Sequence, residues 1–276
     1  ITRTAEIAEA SANAAANGKT LIVVQLSGGN DGLNTLVPYG DDAYYKHRPH
    51  LGIPKKGVLP IDEHFGFSGG MTGFERLFKD GKLAIVHGCG YENPSFSHFT
   101  SMAYWHTAAP NSGEEYGWVG RLADALAPEA PANYLVNIGA RQSLAVRSHK
   151  HVPVVFIDPN AFARDFYAQE RPVIQTLGTG TAVSDTHKYL MDITKSAQSA
   201  SALVGEAWQK YGRTRNPDLN LRDLDRVAAL IEADFPARLY YVPLRGSLFD
   251  THVNQQSPHD RMVQYNSDAI WGFYQE

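Results

Sequence analysis

Residues 20–26, Thr-Leu-Ile-Val-Val-Gln-Leu, and the loop Ser-Gly-Gly-Asn-Asp-Gly-Leu-Asn at 27–34 decide the fold of this chain. A short, continuous apolar run of this kind is typical of a strand that is buried on both faces of a parallel sheet. Similar runs follow along the chain, at 82–88, 133–139, 152–158 and 238–244. We therefore expect a mostly parallel sheet, with the runs at 20–26, 82–88 and 238–244 all in it.

Helical patterns separate these runs. Helices are predicted over 4–17, 70–80, 97–107, 117–127, 185–210, 218–234 and 258–276. Strands that alternate with helices indicate an α/β fold in which helices cover both faces of the sheet. We expect a single α/β domain over 1–276, with a helical insertion at 140–235.

Composition excludes several classes of protein. The chain has 276 residues, with 25 basic and 29 acidic side chains and a net charge of −4, so no cationic field draws it to nucleic acid. No stretch approaches the roughly 20 apolar residues of a membrane span. The single cysteine, Cys89, excludes an internal disulfide framework. Neither a dinucleotide fingerprint nor a G-x-S-x-G nucleophile elbow is present.

The first polar loop carries Asp31, a few residues beyond the first strand and flanked by glycines. Ligands of open α/β sheets bind beyond the carboxyl ends of strands, and a carboxylate there is a natural ligand for a hard cation. The alternative is an ordinary Asn-Asp-Gly turn.

The second loop, Asn-Pro-Ser-Phe-Ser-His at 93–98, leads into a predicted helix. Backbone N–H groups at a helix N-terminus can stabilise an oxyanion, so Ser97 is a candidate nucleophile and Ser95 the alternative. His98 is a candidate ligand or base, and the alternative is a histidine packed against the core. The competing interpretation is that Ser95 or Ser97 only caps the helix.

The third loop carries Asp250 and His252, after the strand at 238–244. Side chains two apart on an extended segment project to the same side, so both could reach one metal ion. A carboxylate with an imidazole suits zinc, manganese or iron better than calcium. The alternative is a hydrogen-bonded loop pair. His259 and Asp260 are expected to cap and open the final helix.

Four stretches together resemble a family of uncharacterised bacterial sulfatase-like proteins, distantly related to alkaline phosphatases and sulfatases and often exported with a twin-arginine signal. The stretches are LIVVQLSGGNDGLNTLVPYGDDAYYKHRP, KLAIVHGCGYENPSFSHFTSMAYWHT, GWVGRLADAL and FDTHVNQQSPHDRM. The resemblance implies an alkaline phosphatase-like three-layer α/β/α sandwich. It also implies a metal site that includes Asp31, Asp250 and His252, with Ser97 or Ser95 in the nucleophile region. The formylglycine motif of sulfatases is not met around Pro94.

The expected function is therefore metal-dependent hydrolysis of a small phosphate or sulfate ester, with zinc or manganese as the cofactor. The alternative is a catalytically degenerate exported protein that serves in binding or secretion. The family usually continues beyond the equivalent of Glu276 with a strand and a second metal-binding loop. We thus expect the chain to lack the C-terminal part of its domain, to bind metal weakly or be isolated without it, and to form a homodimer through an exposed edge. The resemblance implies a periplasmic or exported location.

Overall fold

A computed structural model describes residues 18–129, 132–163, 181–244 and 249–276. The strands in chain order are β1 (Leu21–Gln25), β2 (Leu36–Val37), β3 (Val58–Pro60), β4 (Gly66–Ser68), β5 (Leu135–Ile138), β6 (Val154–Phe156) and β7 (Leu239–Pro243). The helices are α1 (Gly32–Thr35), α2 (Asp42–His47), α3 (Thr72–Lys79), α4 (His98–Thr107), α5 (Trp118–Leu126), α6 (Pro159–Ala163), α7 (Asp185–Thr214), α8 (Leu224–Glu232) and α9 (Gln256–Gln275).

The chain divides into two compact units. Of the described residues, those within 18–24, 91–214 and 226–242 form unit 1, and those within 25–90, 215–225 and 243–276 form unit 2. The predicted helix at 4–17 lies outside the described residues. The segment predicted as a helical insertion, 140–235, contributes strand β6 as well as helices, and its status as an insertion stays a prediction.

The four-stranded sheet has the order β1-β7-β5-β6 and is flanked by helices, so the predicted α/β fold with a mostly parallel sheet is confirmed. Strand β5 pairs in parallel with both neighbours, and Val136 lies opposite Val154 on one side and Tyr240 on the other. All four residues of β5 are buried. This full burial explains why β5 is mostly apolar and shows no alternation between apolar and polar residues.

Helix α5 packs against the segment 144–148 of unit 1 through two glycines. A Cβ atom at Gly117 would lie 2.1 Å from backbone atoms of Ala145, and one at Gly120 would lie 2.2 Å from the carbonyl oxygen of Arg147. Only glycine permits this approach. Next to this contact, Val119, Leu135 and other buried side chains form the core of unit 1.

Unit 2 contains a three-stranded antiparallel sheet, β2-β4-β3, that the apolar pattern does not predict. Its helices α3 and α9 are in close contact, since a Cβ atom at Gly73 would lie 2.5 Å from the carbonyl oxygen of Ser267. The Ser267 hydroxyl accepts a hydrogen bond from the amide of Phe74 at 2.9 Å, which satisfies a free N–H in the first turn of α3.

The prediction of a strand at 82–88 is wrong. This segment has no regular secondary structure, although Leu83 and Ile85 are partly buried against the core of unit 2. Val86, which follows Ile85, is 77% exposed. The apolar side chains thus reflect packing on a core, whereas the backbone pairs with no strand.

Candidate functional site

The loop after β1 holds Asp31 at the start of helix α1. Gly28 and Gly29 form the turn with φ angles of +94° and +83°, which glycine adopts without steric cost. Asp31 then occupies the N-cap position of α1, although its side chain makes no capping hydrogen bond. The carboxylate is therefore available for other partners.

Asp31 forms a largely buried ion pair. Its Oδ2 atom lies 2.6 Å from Nη1 of Arg48 and also accepts a hydrogen bond from Nε2 of Gln255, and its side chain is 10% exposed. Burial raises the pKa of the Asp31 carboxyl, but the hydrogen bond and charge of Arg48, with the hydrogen bond from Gln255, hold that pKa below its ordinary value. The carboxylate is thus kept ionised and neutralised within unit 2.

A second layer of hydrogen bonds fixes Arg48. Its Nη1 atom also donates to Oδ1 of Asn34 at 3.2 Å, and the Tyr44 hydroxyl donates to the same oxygen at 2.8 Å. The side-chain Nδ2 of Asn34 donates to the carbonyl oxygen of Leu51, and the backbone amide of Ile53 donates to the Tyr44 hydroxyl. Buried polar networks that are satisfied in this way define a single geometry.

His259 completes this polar cluster. It is 1% exposed, and its Nε2 atom lies 3.2 Å from Oδ1 of Asn30, whereas Nδ1 has no hydrogen-bond partner among the described residues. Burial lowers the pKa of His259, although the charges of Asp31 and Asp260 act in the opposite direction. The expectation that His259 and Asp260 cap the final helix is wrong, because α9 begins earlier, at Gln256.

The segment after β7 lies beside the loop after β1. The amide of Phe249 donates to the carbonyl oxygen of Ser27 at 3.2 Å, and a Cβ atom at Gly28 would lie 2.8 Å from the amide nitrogen of Asp250. Together with the Gln255–Asp31 hydrogen bond, these contacts hold residues 249–255 against the first polar loop. Two of the three predicted loops are therefore neighbours within unit 2.

Asp250 and His252 form an exposed pair. Nε2 of His252 lies 2.8 Å from Oδ1 of Asp250, and the side chains are 73% and 46% exposed for His252 and Asp250. The residues between 249 and 255 belong to no helix or strand. The two side chains contact each other in this geometry, which fits both a ligand pair and a hydrogen-bonded loop pair, so their role as metal ligands stays a prediction.

Ser95, Ser97 and His98 lie in unit 1, whereas the three predicted metal ligands lie in unit 2. Ser97 is the N-cap of α4, and its hydroxyl accepts a hydrogen bond from the amide of Thr100 at 3.5 Å. The Ser95 hydroxyl accepts one from the amide of Ser97 at 3.2 Å. Ser97 and His98 are exposed. Capping is thus observed, and the catalytic roles of all three residues stay predictions.

The tripeptide Asp-Thr-His occurs twice, at 185–187 and at 250–252. The first copy begins helix α7, where the His187 amide donates to the Ser184 hydroxyl at 3.1 Å and Nδ1 of His187 accepts from the amide of Val183 at 3.2 Å. In the described part of the chain, Asp185 forms no ion pair with His187. The first copy therefore provides an internal control for the second.

Arg48 and Gln255 are the site residues that sequence reasoning missed. Arg48 lies 17 positions from Asp31, and Gln255 lies 224 positions from it. No local spacing connects such residues. The sequence offered only a general indication that Asp31 has such partners. A carboxylate that becomes buried needs a cation or several hydrogen-bond donors nearby, but this rule does not say which residues supply them.

Comparison with models of known protein families, with curated proteins and with solved structures gave no match. Among the helices of the described residues, none combines the length and the apolar character that crossing a membrane requires.

Proposed function

We propose that this protein is a metal-dependent hydrolase of small phosphate or sulfate esters, built on an alkaline phosphatase-like three-layer α/β/α sandwich. The observation that carries the proposal is the Asp250–His252 pair, with 2.8 Å between Nε2 and Oδ1 on an exposed segment. The pair follows β7, and the neighbouring polar loop follows β1. Loops beyond the carboxyl ends of strands are where open α/β sheets bind their ligands.

The donor set of this pair fits zinc or manganese. Carboxylate and imidazole ligands suit these ions. Two such ligands of a tetrahedral zinc ion, each about 2.0–2.1 Å from it, lie roughly 3.3 Å apart, so the pair needs only a small displacement to bind one ion. A bound ion of this type polarises an ester oxygen and lowers the pKa of a bound water. Asp250 and His252 would hold it.

Asp31 and Gln255 position the segment that carries the pair. The Gln255 side chain donates to Asp31, and Gln255 follows His252 by three residues. Because the Arg48 guanidinium keeps Asp31 ionised, this acceptor persists at neutral pH. The buried ion pair thus anchors one end of the exposed loop, and such support fixes the direction of ligand side chains.

One observation favours the alternative, a catalytically degenerate exported protein that binds a partner or assists secretion. Oδ2 of Asp31 already accepts from both Arg48 and Gln255, so a metal ion there would compete with a guanidinium. Asp31 as a metal ligand stays a prediction. The same holds for Ser97 as nucleophile, for the homodimer and for the exported location.

The test is metal binding followed by ester hydrolysis. Isothermal titration with zinc and with manganese should show one ion per chain in the wild type, bound weakly, with a Kd above about 1 μM. The double variant Asp250→Ala/His252→Ala should lose at least about tenfold in affinity, since both ligands are removed. Asp185→Ala/His187→Ala is the matched control and should bind as the wild type does. Hydrolysis of p-nitrophenyl phosphate or p-nitrophenyl sulfate should require the same two residues.

Each outcome separates the interpretations. Equal metal affinity in the two double variants would overturn the proposed ion site. Metal binding that depends on Asp250 and His252, without hydrolysis of either ester, would support the degenerate alternative. Hydrolysis that survives removal of Asp250 and His252 would place the chemistry elsewhere.

A further inference from the structure

Unit 2 contains an open cleft of about 960 Å³. One wall is formed by residues 254–264, the start of helix α9 and the loop before it, and the other by residues 51–57 and 68–70. The volume lies within the range of small-molecule sites, which is about 300–1,000 Å³. The cleft shares its Asn254–Gln255 segment with the loop that carries His252, but neither Asp250 nor His252 lines it.

Three carboxamides line the cleft without internal partners. Among the described residues, the side chains of Asn254, Gln256 and Gln264 make no hydrogen bond, and all three are exposed. Each carboxamide offers an N–H₂ donor and a carbonyl acceptor. A hydroxyl group also donates and accepts, so a row of carboxamides is complementary to a ligand that carries several hydroxyls.

The charged lining residues balance each other. Asp260 and Arg261 both line the cleft, and Nη1 of Arg261 donates to the Ser257 hydroxyl at 2.9 Å. Asp260 is only partly exposed, and burial raises the pKa of its carboxyl. A perturbed carboxyl group in a cleft is a common feature of binding sites. One acid with one base gives no net charge that would select an anion or a cation.

The opposite wall is apolar and closely packed. Leu51, Ile53 and Pro54 provide an apolar surface. A Cβ atom at Gly70 would lie 3.0 Å from Cβ of Gln264, so the two walls are in contact at one end of the cleft. The two walls are thus held close together at Gly70 and Gln264, and a preformed contact of this kind reduces the cost of ordering on binding.

We propose that this cleft binds a neutral polyhydroxylated ligand, a mono- or disaccharide. Carboxamides and the Asp260 carboxylate would bind the hydroxyl groups, and the apolar wall would pack against the C–H face of a sugar ring. This goes beyond the proposed hydrolase activity and does not depend on it, because no residue of the Asp250–His252 pair takes part.

The test is saturation-transfer-difference NMR and calorimetry on the whole chain with glucose, galactose, mannose, N-acetylglucosamine and maltose. Inorganic phosphate, sulfate and glycine are the comparison ligands. At least one sugar should bind. Gln264→Ala should weaken that binding about three- to tenfold, the loss of one or two neutral hydrogen bonds, and Asp260→Asn by about tenfold or more. Gln209→Ala, which removes an exposed glutamine from helix α7 of unit 1, is the control and should change nothing.

Several results would overturn the proposal. They are the absence of binding by any sugar at millimolar concentration, a preference for phosphate, sulfate or glycine over all sugars, and sugar binding that is equal in the wild type and in both cleft variants. Circular dichroism of each variant confirms folding, and Gln256→Ala serves as a second cleft variant if Asp260→Asn does not fold. Because metal is omitted throughout, failure here leaves the Asp250–His252 experiment unaffected.

Discussion

The two Asp-Thr-His tripeptides have the same composition and different geometries. At 250–252 the backbone is outside any helix or strand, and the acid and imidazole meet at 2.8 Å. At 185–187 the residues open helix α7, and with 3.6 residues per turn two side chains at this spacing point to different sides of the helix. The comparison teaches that a ligand pair is defined by backbone conformation and not by spacing alone.

Different interactions fix the two conformations. The copy at 185–187 is held by a local cap, in which the Ser184 hydroxyl accepts from the His187 amide. The copy at 250–252 is held by residues distant in sequence, through the Gly28 turn and the Gln255–Asp31 hydrogen bond. Substitutions that remove this long-range support should therefore lower the free energy of unfolding strongly. Substitutions in the exposed tripeptides themselves should lower it only slightly.

The largest effect is expected for Asp31→Ala. The substitution leaves Arg48 partly buried without its partner and removes the acceptor of Gln255. Breaking a fully buried pair costs about 3–5 kcal/mol, and since Arg48 is partly exposed we expect about 2–3 kcal/mol here. The free energy of unfolding from urea titration is the measurement. A cycle with Arg48→Ala should show strong coupling, and additive losses in the double variant would mean that the pair is not a unit.

Gly28→Ala should have the second-largest effect and lower the free energy of unfolding by about 2 kcal/mol. Its φ of +94° is strained for alanine, and the added Cβ would lie 2.8 Å from the amide nitrogen of Asp250. Gly29→Ala is the matched control, because Gly29 has φ of +83° but no atom within 4 Å of an added Cβ. Gly29→Ala should lower the free energy of unfolding by about 1 kcal/mol, because it introduces only the backbone strain of alanine at a positive φ and no steric contact. Equal losses in the two variants would show that the contact with Asp250 contributes nothing.

The sequence predicted the fold where burial dictates the pattern. Strands β5, β6 and β7 were identified because their largely apolar runs are mostly buried, and β1 was identified from its apolar run although it is only partly buried. The run at 82–88 looked the same, but its alternate side chains pack on a core without strand pairing. The antiparallel sheet β2-β4-β3 was missed, because strands of two or three residues are too short to show a period.

The candidate site was predictable in part for a similar reason. Asp31 and the Asp250–His252 pair follow strands, and this position in the chain is what singled them out as candidates. Arg48 and Gln255 contact Asp31 only after the chain has folded, and nothing in their local sequence marks them. The burial of His259 was missed because this residue was expected to cap the final helix, whereas α9 already begins at Gln256 and His259 is 1% exposed.

A smaller effect is expected for the contribution of His259 to the pH dependence of the free energy of unfolding. Burial lowers the pKa of His259 below its ordinary value of 6.5 in the folded state. As pH falls below 6.5, the unfolded chain therefore binds a proton that the folded chain does not, so this residue's contribution to stability is lost as the pH approaches the folded-state pKa. Wild type should lose more stability than His259→Gln between about pH 7.5 and pH 5.5 in urea titrations. A steeper loss in the variant would reverse the assignment.

The smallest effects are expected at the tripeptides themselves. Asp185 lies in the first turn of α7, where a carboxylate interacts with the helix dipole, so Asp185→Ala should cost about 0.3–1 kcal/mol without metal. Asp250 forms an exposed pair outside any helix, and Asp250→Ala should cost less than about 0.5 kcal/mol. Thermal unfolding with and without zinc is the measurement. Zinc should raise the melting temperature of the wild type and of Asp185→Ala but not of Asp250→Ala, because an ion that binds only the folded state stabilises it. A large loss in metal-free Asp250→Ala would instead make the pair a structural contact, since a side chain kept for ligand binding contributes little until its ligand is present.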